Sequence, residues 1–406
     1  MKILLISYYH LDEESSGSLR GRAIAKYLPL NGIDVTVLTA NHQKKDLMIS
    51  GNVISIKDIN HYSKTFLGYA WRASQKLLRL MGFYRGIHAY WLSKAISNSK
   101  KIIELSKPQI VVASYPCIEA LEIGIRLSKE YGIPLVLDFR DGLMFESLET
   151  QLLRKTSFQN HYAGVEKIAI ETATSVVSIS EPISNYFSYK YKCSNSFTLP
   201  NGYDDEEVHE LRDYPWDENL THIVHTGRIS SSRATGEIGL LALINALTIL
   251  RKSSPESIHK LKIHFVGNLN PKERAALSIF DDLGIVNLWG QLPRSIALGF
   301  QRKADCLLLI TAPDQTSVAT GKIFEYLASK KFILALTSGT EAEKIILSTG
   351  AGVAIHPNNP DKIAEYLLMI ISRKPHDCIR NQQVINSYSR AAQMKTLSLH
   401  LTQIVK

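Results

Sequence analysis

The feature that most constrains this chain is a pattern that runs twice. Short, continuously apolar segments alternate with segments of helical period. In the first run, residues 2–7 precede a helical stretch near 20–30, and residues 34–38, 110–113, 134–137 and 175–179 repeat the strand reading. Buried parallel strands separated by crossover helices have this texture, because both faces of each strand are covered. The pattern then restarts. Residues 222–227 read as a strand running into Gly227, a long helix spans 239–251, and residues 262–267 repeat the strand-then-glycine signature at Gly267. Residues 286–289, 306–310, 333–336 and 352–355 continue the series. Two such series predict two doubly wound α/β domains, each Rossmann-like, facing a central cleft.

Length agrees with this division. A chain of 406 residues exceeds what one hydrophobic core usually organises. The stretch Leu199-Pro200-Asn201-Gly202-Tyr203-Asp204-Asp205 is rich in turn formers and marks the junction. The expected domains are 1–200 and 201–385. A strandless, helical tail at 386–406 either closes the second domain or packs back on the first.

Charge narrows the partners. Lysine and arginine total 47 against 38 acidic residues, a formal balance of +9, which favours anionic ligands or surfaces. No nucleic-acid recognition motif accompanies the charge. The four cysteines, Cys117, Cys193, Cys306 and Cys378, are far apart and form no C-x-x-C. That argues against a structural zinc site or a disulfide scaffold and suggests a reducing, cytoplasmic setting. The amino-terminal apolar run is too short for a signal peptide. No stretch reaches the roughly 20 apolar residues of a membrane-spanning helix. One segment, 61–107, interleaves bases (Arg72, Lys76, Arg79, Arg85, Lys100, Lys107) with aromatics (Tyr62, Phe66, Trp71, Trp91). It reads either as peripheral contact with the anionic inner face of a membrane or as surface helices whose aromatics are core.

Four local motifs carry chemistry. After the first strand, Ser15-Ser16-Gly17-Ser18 offers a small-residue loop before a helix, suited to a phosphate or sugar. Asp138-Phe139-Arg140-Asp141 sits at the end of a buried strand, where an acid and a base can hold sugar hydroxyls. The structural alternative is an Asp138–Arg140 or Arg140–Asp141 pair. Gly227-Arg228 with Arg233 places two guanidinium groups across a hydroxyl-rich loop, within reach of one pyrophosphate. Thr320-Gly321-Lys322-Ile323-Phe324-Glu325 opens a helix toward phosphate, with Glu325 about one turn in, where a carboxylate accepts both hydroxyls of a ribose. There is no D-x-D to hold a metal–nucleotide complex, so no metal or other cofactor is expected.

Taken in order, the first strand with Gly17, Asp138-Phe139-Arg140-Asp141, Leu199-Pro200-Asn201-Gly202, Gly227-Arg228 with Arg233, Phe265-Val266-Gly267 and Gly321-Lys322-Ile323-Phe324-Glu325-Tyr326-Leu327-Ala328 resemble the family-four retaining glycosyltransferases of GT-B fold. The resemblance covers nearly the whole chain. It implies a sugar moved from a UDP- or GDP-sugar to a glycan or lipid-linked acceptor with retention, as in bacterial surface polysaccharide or glycolipid synthesis. It places the donor on the second domain and the acceptor on the first. Donor binding falls to Gly17, Arg228, Arg233, Gly267, Asn268, Thr320, Gly321, Lys322 and Glu325, with 290–292 near the base. Ser16, Arg140 and Asp141 fall near the sugar and acceptor. Asp141, Arg228 and Arg233 are the expected catalytic residues. The chain departs from the family at Ser317, where many members carry a glutamate eight residues before Glu325 that contacts the donor sugar. Asp314 and Gln315 are the substitutes at hand. The first domain also lacks the family's usual sugar-contacting histidine. Two other readings share the fold: a nucleotide-sugar 2-epimerase, which needs acid/base groups in the cleft, and a catalytically silent nucleotide-sugar binding protein.

Overall fold

The computed structural model describes residues 1–11, 17–41, 47–59, 69–70, 73–74, 77–78, 86–147, 156–204, 216–229, 237–312, 315–317, 319–373 and 378–405. The chain forms two compact units, Met1–Pro200 with Arg390–Lys406, and Asn201–Ser389.

The first unit is built on an eight-stranded sheet of order β3-β4-β2-β1-β5-β6-β7-β8. Its strands are β1 (Lys2–Ile6), β2 (Asp34–Asn41), β3 (Leu47–Ser50), β4 (Val53–Lys57), β5 (Ile110–Tyr115), β6 (Leu135–Phe139), β7 (Ser175–Ser178) and β8 (Ser196–Thr198). Only β3 runs antiparallel, against β4. β5, β6 and β7 are buried at every residue. Helices on both faces take up the apolar side chains of each pleat, which is why these strands read as unbroken apolar runs. Each fully buried Ile or Leu of this set contributes roughly 1.5–3 kcal/mol relative to exposure. Gly124, in the helix Ile118–Tyr131, lets that helix lie against β5: a Cβ there would sit 2.8 Å from the Ala113 Cβ. The helices Leu19–Tyr27 and Arg390–Val405 share one apolar cluster, with Ala23, Ile24 and Tyr27 against Met394, Leu397 and Leu401. The tail helix is thus part of the first unit, and the division falls after Ser389 rather than after residue 385.

The second unit holds six parallel strands in the order β11-β10-β9-β12-β13-β14. They are β9 (Thr221–Thr226), β10 (Leu261–Val266), β11 (Val286–Gly290), β12 (Cys306–Ile310), β13 (Phe332–Leu336) and β14 (Gly352–Ile355). The order reverses between β9 and β12. In open α/β sheets, ligands bind outside the carboxyl ends of the strands at such a switch point. Arg228 follows β9, the stretch leading to Thr320-Gly321-Lys322 follows β12, and Gly267 and Asn268 follow the neighbouring β10.

Among the described residues no helix is long and apolar enough to cross a membrane. Of the segment 61–107, Trp91 is core: it is fully buried and its Nε1 donates to the Thr39 carbonyl at 3.2 Å. Lys100, Lys101 and Lys107 are exposed. Arg72, Lys76, Arg79 and Arg85 lie outside the described residues.

Candidate functional site

At the carboxyl end of β9 the chain turns at Gly227, with φ of 79°. Gly227 N donates to the Val266 carbonyl at 2.7 Å. Gly267, which follows β10, approaches it so closely that a Cβ there would lie 2.2 Å from the Gly227 oxygen. Gly267 therefore needs glycine for backbone proximity, and Gly227 for its left-handed backbone. Arg228 comes next and is exposed, while Ile229 is buried and anchors the turn.

Lys322 lies across this turn. A Cβ on Gly227 would be 2.8 Å from its Cε. Its ammonium donates to the Arg228 carbonyl and stands 3.4 Å from His225 Nε2. His225 Nδ1 is 3.0 Å from the Leu308 carbonyl. A carbonyl only accepts, so Nδ1 carries the hydrogen and Nε2 is the acceptor facing the lysine. Burial pulls Lys322 down to about 8, opposed by Glu325 and Glu273. Burial and then the lysine charge pull His225 down to about 3. The lysine side chain, partly buried, is held against the turn by the Arg228 carbonyl.

β12 leads into the loop that ends at Thr320, and the helix Gly321–Ser329 begins there. Thr320 makes no side-chain cap bond and the first turn has no acid. Gly321 is exposed, with nothing within 4 Å of where a Cβ would stand. Among the described residues nothing fills the space at Gly321, and an uncapped helix start of this kind suits an anion. Two described residues of the loop are held: Glu341 N donates to the Thr316 carbonyl at 2.8 Å, and Thr311 Oγ1 meets Thr337 Oγ1 at 2.6 Å. Ser317 is buried within it. Gln315 is buried too, and its Oε1, like Thr320 Oγ1, has no hydrogen-bond partner among the described residues. Asp314 lies outside them.

Glu325 is engaged at both oxygens. Arg294 Nη1 donates to Oε1 at 2.5 Å and Gln301 Nε2 donates to Oε2 at 3.0 Å. Sequence alone presents this glutamate as open to a ligand. The structure shows it in a network, although a carboxylate has about four acceptor positions and so retains capacity. Gln301 Nε2 also donates to Thr226 Oγ1 at 3.0 Å, and Thr226 N donates to the Tyr326 hydroxyl at 3.0 Å. An open depression beside Glu325 is lined by Tyr203, Asp204, Leu298, Gln301, Arg302 and Ser329. The turns after β10 and β11 are joined by Asn268 Nδ2, which donates to Gln291 Oε1 at 2.9 Å. Sequence reading missed Arg294 and Gln301, and gave Thr226, the start of the Gly227-Arg228 motif, no role of its own. The one available signal was a glutamine on the otherwise apolar face of the helix Arg294–Lys303.

In the first unit, Arg140 donates to the Gly17 carbonyl. Burial pulls the Arg140 guanidinium below its ordinary value, against the opposing effect of Asp141 and Asp138. Asp138 is not paired as the sequence suggested. Its partner is Arg20, whose Nε donates to Oδ1 at 2.8 Å, while Ser114 Oγ donates to Oδ2 at 2.9 Å. Arg20 also donates to the carbonyls of Leu199 and Pro200 at 3.0 and 3.1 Å. Arg20 therefore ties the first helix to β6 and to the segment Leu199-Pro200. The loop bearing Arg140 and Asp141 is shaped by Gly142, where a Cβ would lie 1.7 Å from the Phe145 oxygen. Glu166 holds it by accepting from Met144 N at 2.9 Å. A second buried group, also missed, gathers beyond β1 and β4: Tyr8 donates to Asp58 at 2.6 Å, and His88 Nδ1 lies 2.7 Å from the same oxygen. Ser16 and Arg233 lie outside the described residues.

Comparison with known proteins bears on the fold. No family model matches the sequence, and no curated protein matches it. Solved structures do. Sucrose-phosphate synthase from Thermosynechococcus elongatus matches with a TM-score of 0.69 at 14% identity, over 99% of this chain and 98% of that one. The fold is GT-B. A glycosyltransferase from Rickettsia africae ESF-5 matches with a TM-score of 0.64 at 17% identity, over 100% and 98%. A protein assigned as a UDP-N-acetylglucosamine 2-epimerase from Listeria monocytogenes matches with a TM-score of 0.55 at 14% identity, over 99% and 96%. At these identities the GT-B likeness speaks to architecture, and chemistry has to be argued from the site.

Proposed function

We propose that this chain is a retaining glycosyltransferase that draws on a UDP- or GDP-sugar. The observation that carries the reading is the convergence at the second sheet's switch point. There the open N-terminus of the helix Gly321–Ser329, the half-buried Lys322 ammonium and the glycine turn bearing Arg228 come together. A diphosphate matches this set: backbone N–H groups and a poorly solvated lysine bind its oxygens, and Arg228, with Arg233, neutralises charge as the nucleoside diphosphate leaves. Glu325, one turn along the helix, accepts the ribose hydroxyls. Residues near Asn268 and 290–292 border the base.

Catalysis on this reading is positioning and charge stabilisation. The acceptor attacks the anomeric carbon on the face that the diphosphate leaves, and the departing phosphate takes the acceptor's proton. No protein nucleophile and no metal are required. The first unit takes the acceptor, with Arg140 and Asp141 near it, and a glycan or lipid-linked acceptor of a bacterial surface polymer or glycolipid is the class proposed. An epimerase is the second reading, favoured by the epimerase match; the missing carboxylate at Ser317 favours instead a chain that binds a nucleotide sugar without turning it over.

Calorimetry with UDP and GDP tests the donor site. Charge-assisted hydrogen bonds contribute roughly 1.5–3 kcal/mol each, so Glu325→Ala should weaken the preferred nucleotide by at least about tenfold. Unchanged affinity would mean that the donor site has been misplaced.

A further inference from the structure

We propose that Gln301 is a positioning residue: it sets the orientation of Glu325 relative to the diphosphate turn and so determines selectivity for the ribose hydroxyls. The proposal rests on the donor-nucleotide reading above and adds to it a residue outside the motifs that suggested that reading.

Gln301 is 1% exposed. It belongs to the helix Arg294–Lys303, whose other buried positions, Ile296, Leu298, Gly299 and Phe300, are apolar or glycine. A glutamine at such a position has to find partners for a whole amide. Its Nε2 has two hydrogens and two acceptors, Thr226 Oγ1 and Glu325 Oε2, both at 3.0 Å. Its Oε1 is buried with no hydrogen-bond partner among the described residues. The amide orientation is fixed by its neighbour, since a carboxylate accepts and requires the nitrogen. A residue serving only to fill the core would be apolar here, because a half-satisfied buried amide is costly. What the amide provides is a bridge. Thr226 is the last residue of β9 and immediately precedes the Gly227-Arg228 turn. Glu325 is the carboxylate placed for the ribose. Through one nitrogen, Gln301 fixes the second to the strand that bears the first, so a nucleotide meets its ribose and diphosphate contacts already in register. Arg294 holds the other oxygen of the carboxylate at 2.5 Å, which leaves the remaining lone pairs as the only ones a ribose can use.

The test uses calorimetry on the full chain with UDP, or GDP if that binds better, and the corresponding 2′,3′-dideoxynucleotide. Gln301→Met keeps the volume and removes the amide. It should weaken the natural nucleotide about tenfold, the equivalent of one hydrogen bond to a charged group, and leave the dideoxynucleotide unchanged. Combined with Glu325→Gln it should add nothing further, because both act through one contact. Thr226→Val removes the other end of the bridge and should show the same selectivity; it serves as the second variant if Gln301→Met lowers the melting temperature. Equal weakening of both nucleotides, or full additivity with Glu325→Gln, would show that Gln301 is structural and overturn the proposal. If Glu325→Gln weakens UDP or GDP and neither Gln301→Met nor Thr226→Val does, the bridge has no role while the donor reading stands. If Glu325→Gln itself has no effect, both fall.

Discussion

Lys322 is placed where an ammonium is costly, and its lowered value has a measurable consequence. Only the protonated form attracts a diphosphate. Binding the anion stabilises that form, so affinity should be flat below about pH 8 and fall above it, by no more than about tenfold per pH unit. Calorimetry with the preferred nucleoside diphosphate between pH 7 and 9.5 checks this. Lys322→Arg, which stays charged throughout, should abolish the decline. An identical decline in both proteins would place the titrating group elsewhere. At this scale the sequence was legible where a role is local. Gly227, Gly267 and Thr320-Gly321 stand at strand ends or a helix start, and their backbone tasks follow from position. It was not legible where a role is made by packing. Gln301 reaches Glu325 from 24 residues away and Arg294 from 31, and no short motif spans such distances. Asp138 found its partner at Arg20, 118 residues earlier, rather than in Arg140 two residues on.

At the scale of elements, the buried strands were the readable ones. β1, β5, β6 and β12 are apolar on both faces, so they announce themselves as runs. β3, β4 and β8 escaped notice because they are short and carry serine or lysine, as LMIS, VISIK and SFT do. β3 and β8 are also edge strands, where only one neighbour constrains composition. The basic segment 61–107 is divided by the structure. Trp91 went to the core, as the structural alternative required, whereas Lys100 and Lys101 remain on the surface. We expect weak, salt-sensitive attachment to anionic vesicles through this segment, with each base near the surface contributing about 1 kcal/mol. Replacing Arg72, Lys76, Arg79 and Arg85 by serine should release the protein in a sedimentation assay. Equal sedimentation of the two proteins would exclude the segment as the anchor.

For the whole molecule, two doubly wound units were anticipated from a strand–helix pattern that restarts near residue 222, and the GT-B likeness covers 99–100% of the chain in the structures compared. What the pattern could not supply was the destination of the tail helix, which depends on a tertiary choice between two apolar faces and was made in favour of the helix Leu19–Tyr27. Nor does the fold choose between transfer and epimerisation, since proteins assigned to both share it. The reaction itself decides. The full chain should be incubated with a panel of UDP- and GDP-sugars, with and without EDTA, and followed by proton and phosphorus NMR. The account predicts that one nucleotide sugar is consumed in both conditions, water standing in for the acceptor, with release of its nucleoside diphosphate and of a sugar that first appears with the donor's anomeric configuration. A sugar that stays on its nucleotide and is converted to its C2 epimer, or a panel left wholly unconsumed, would contradict it.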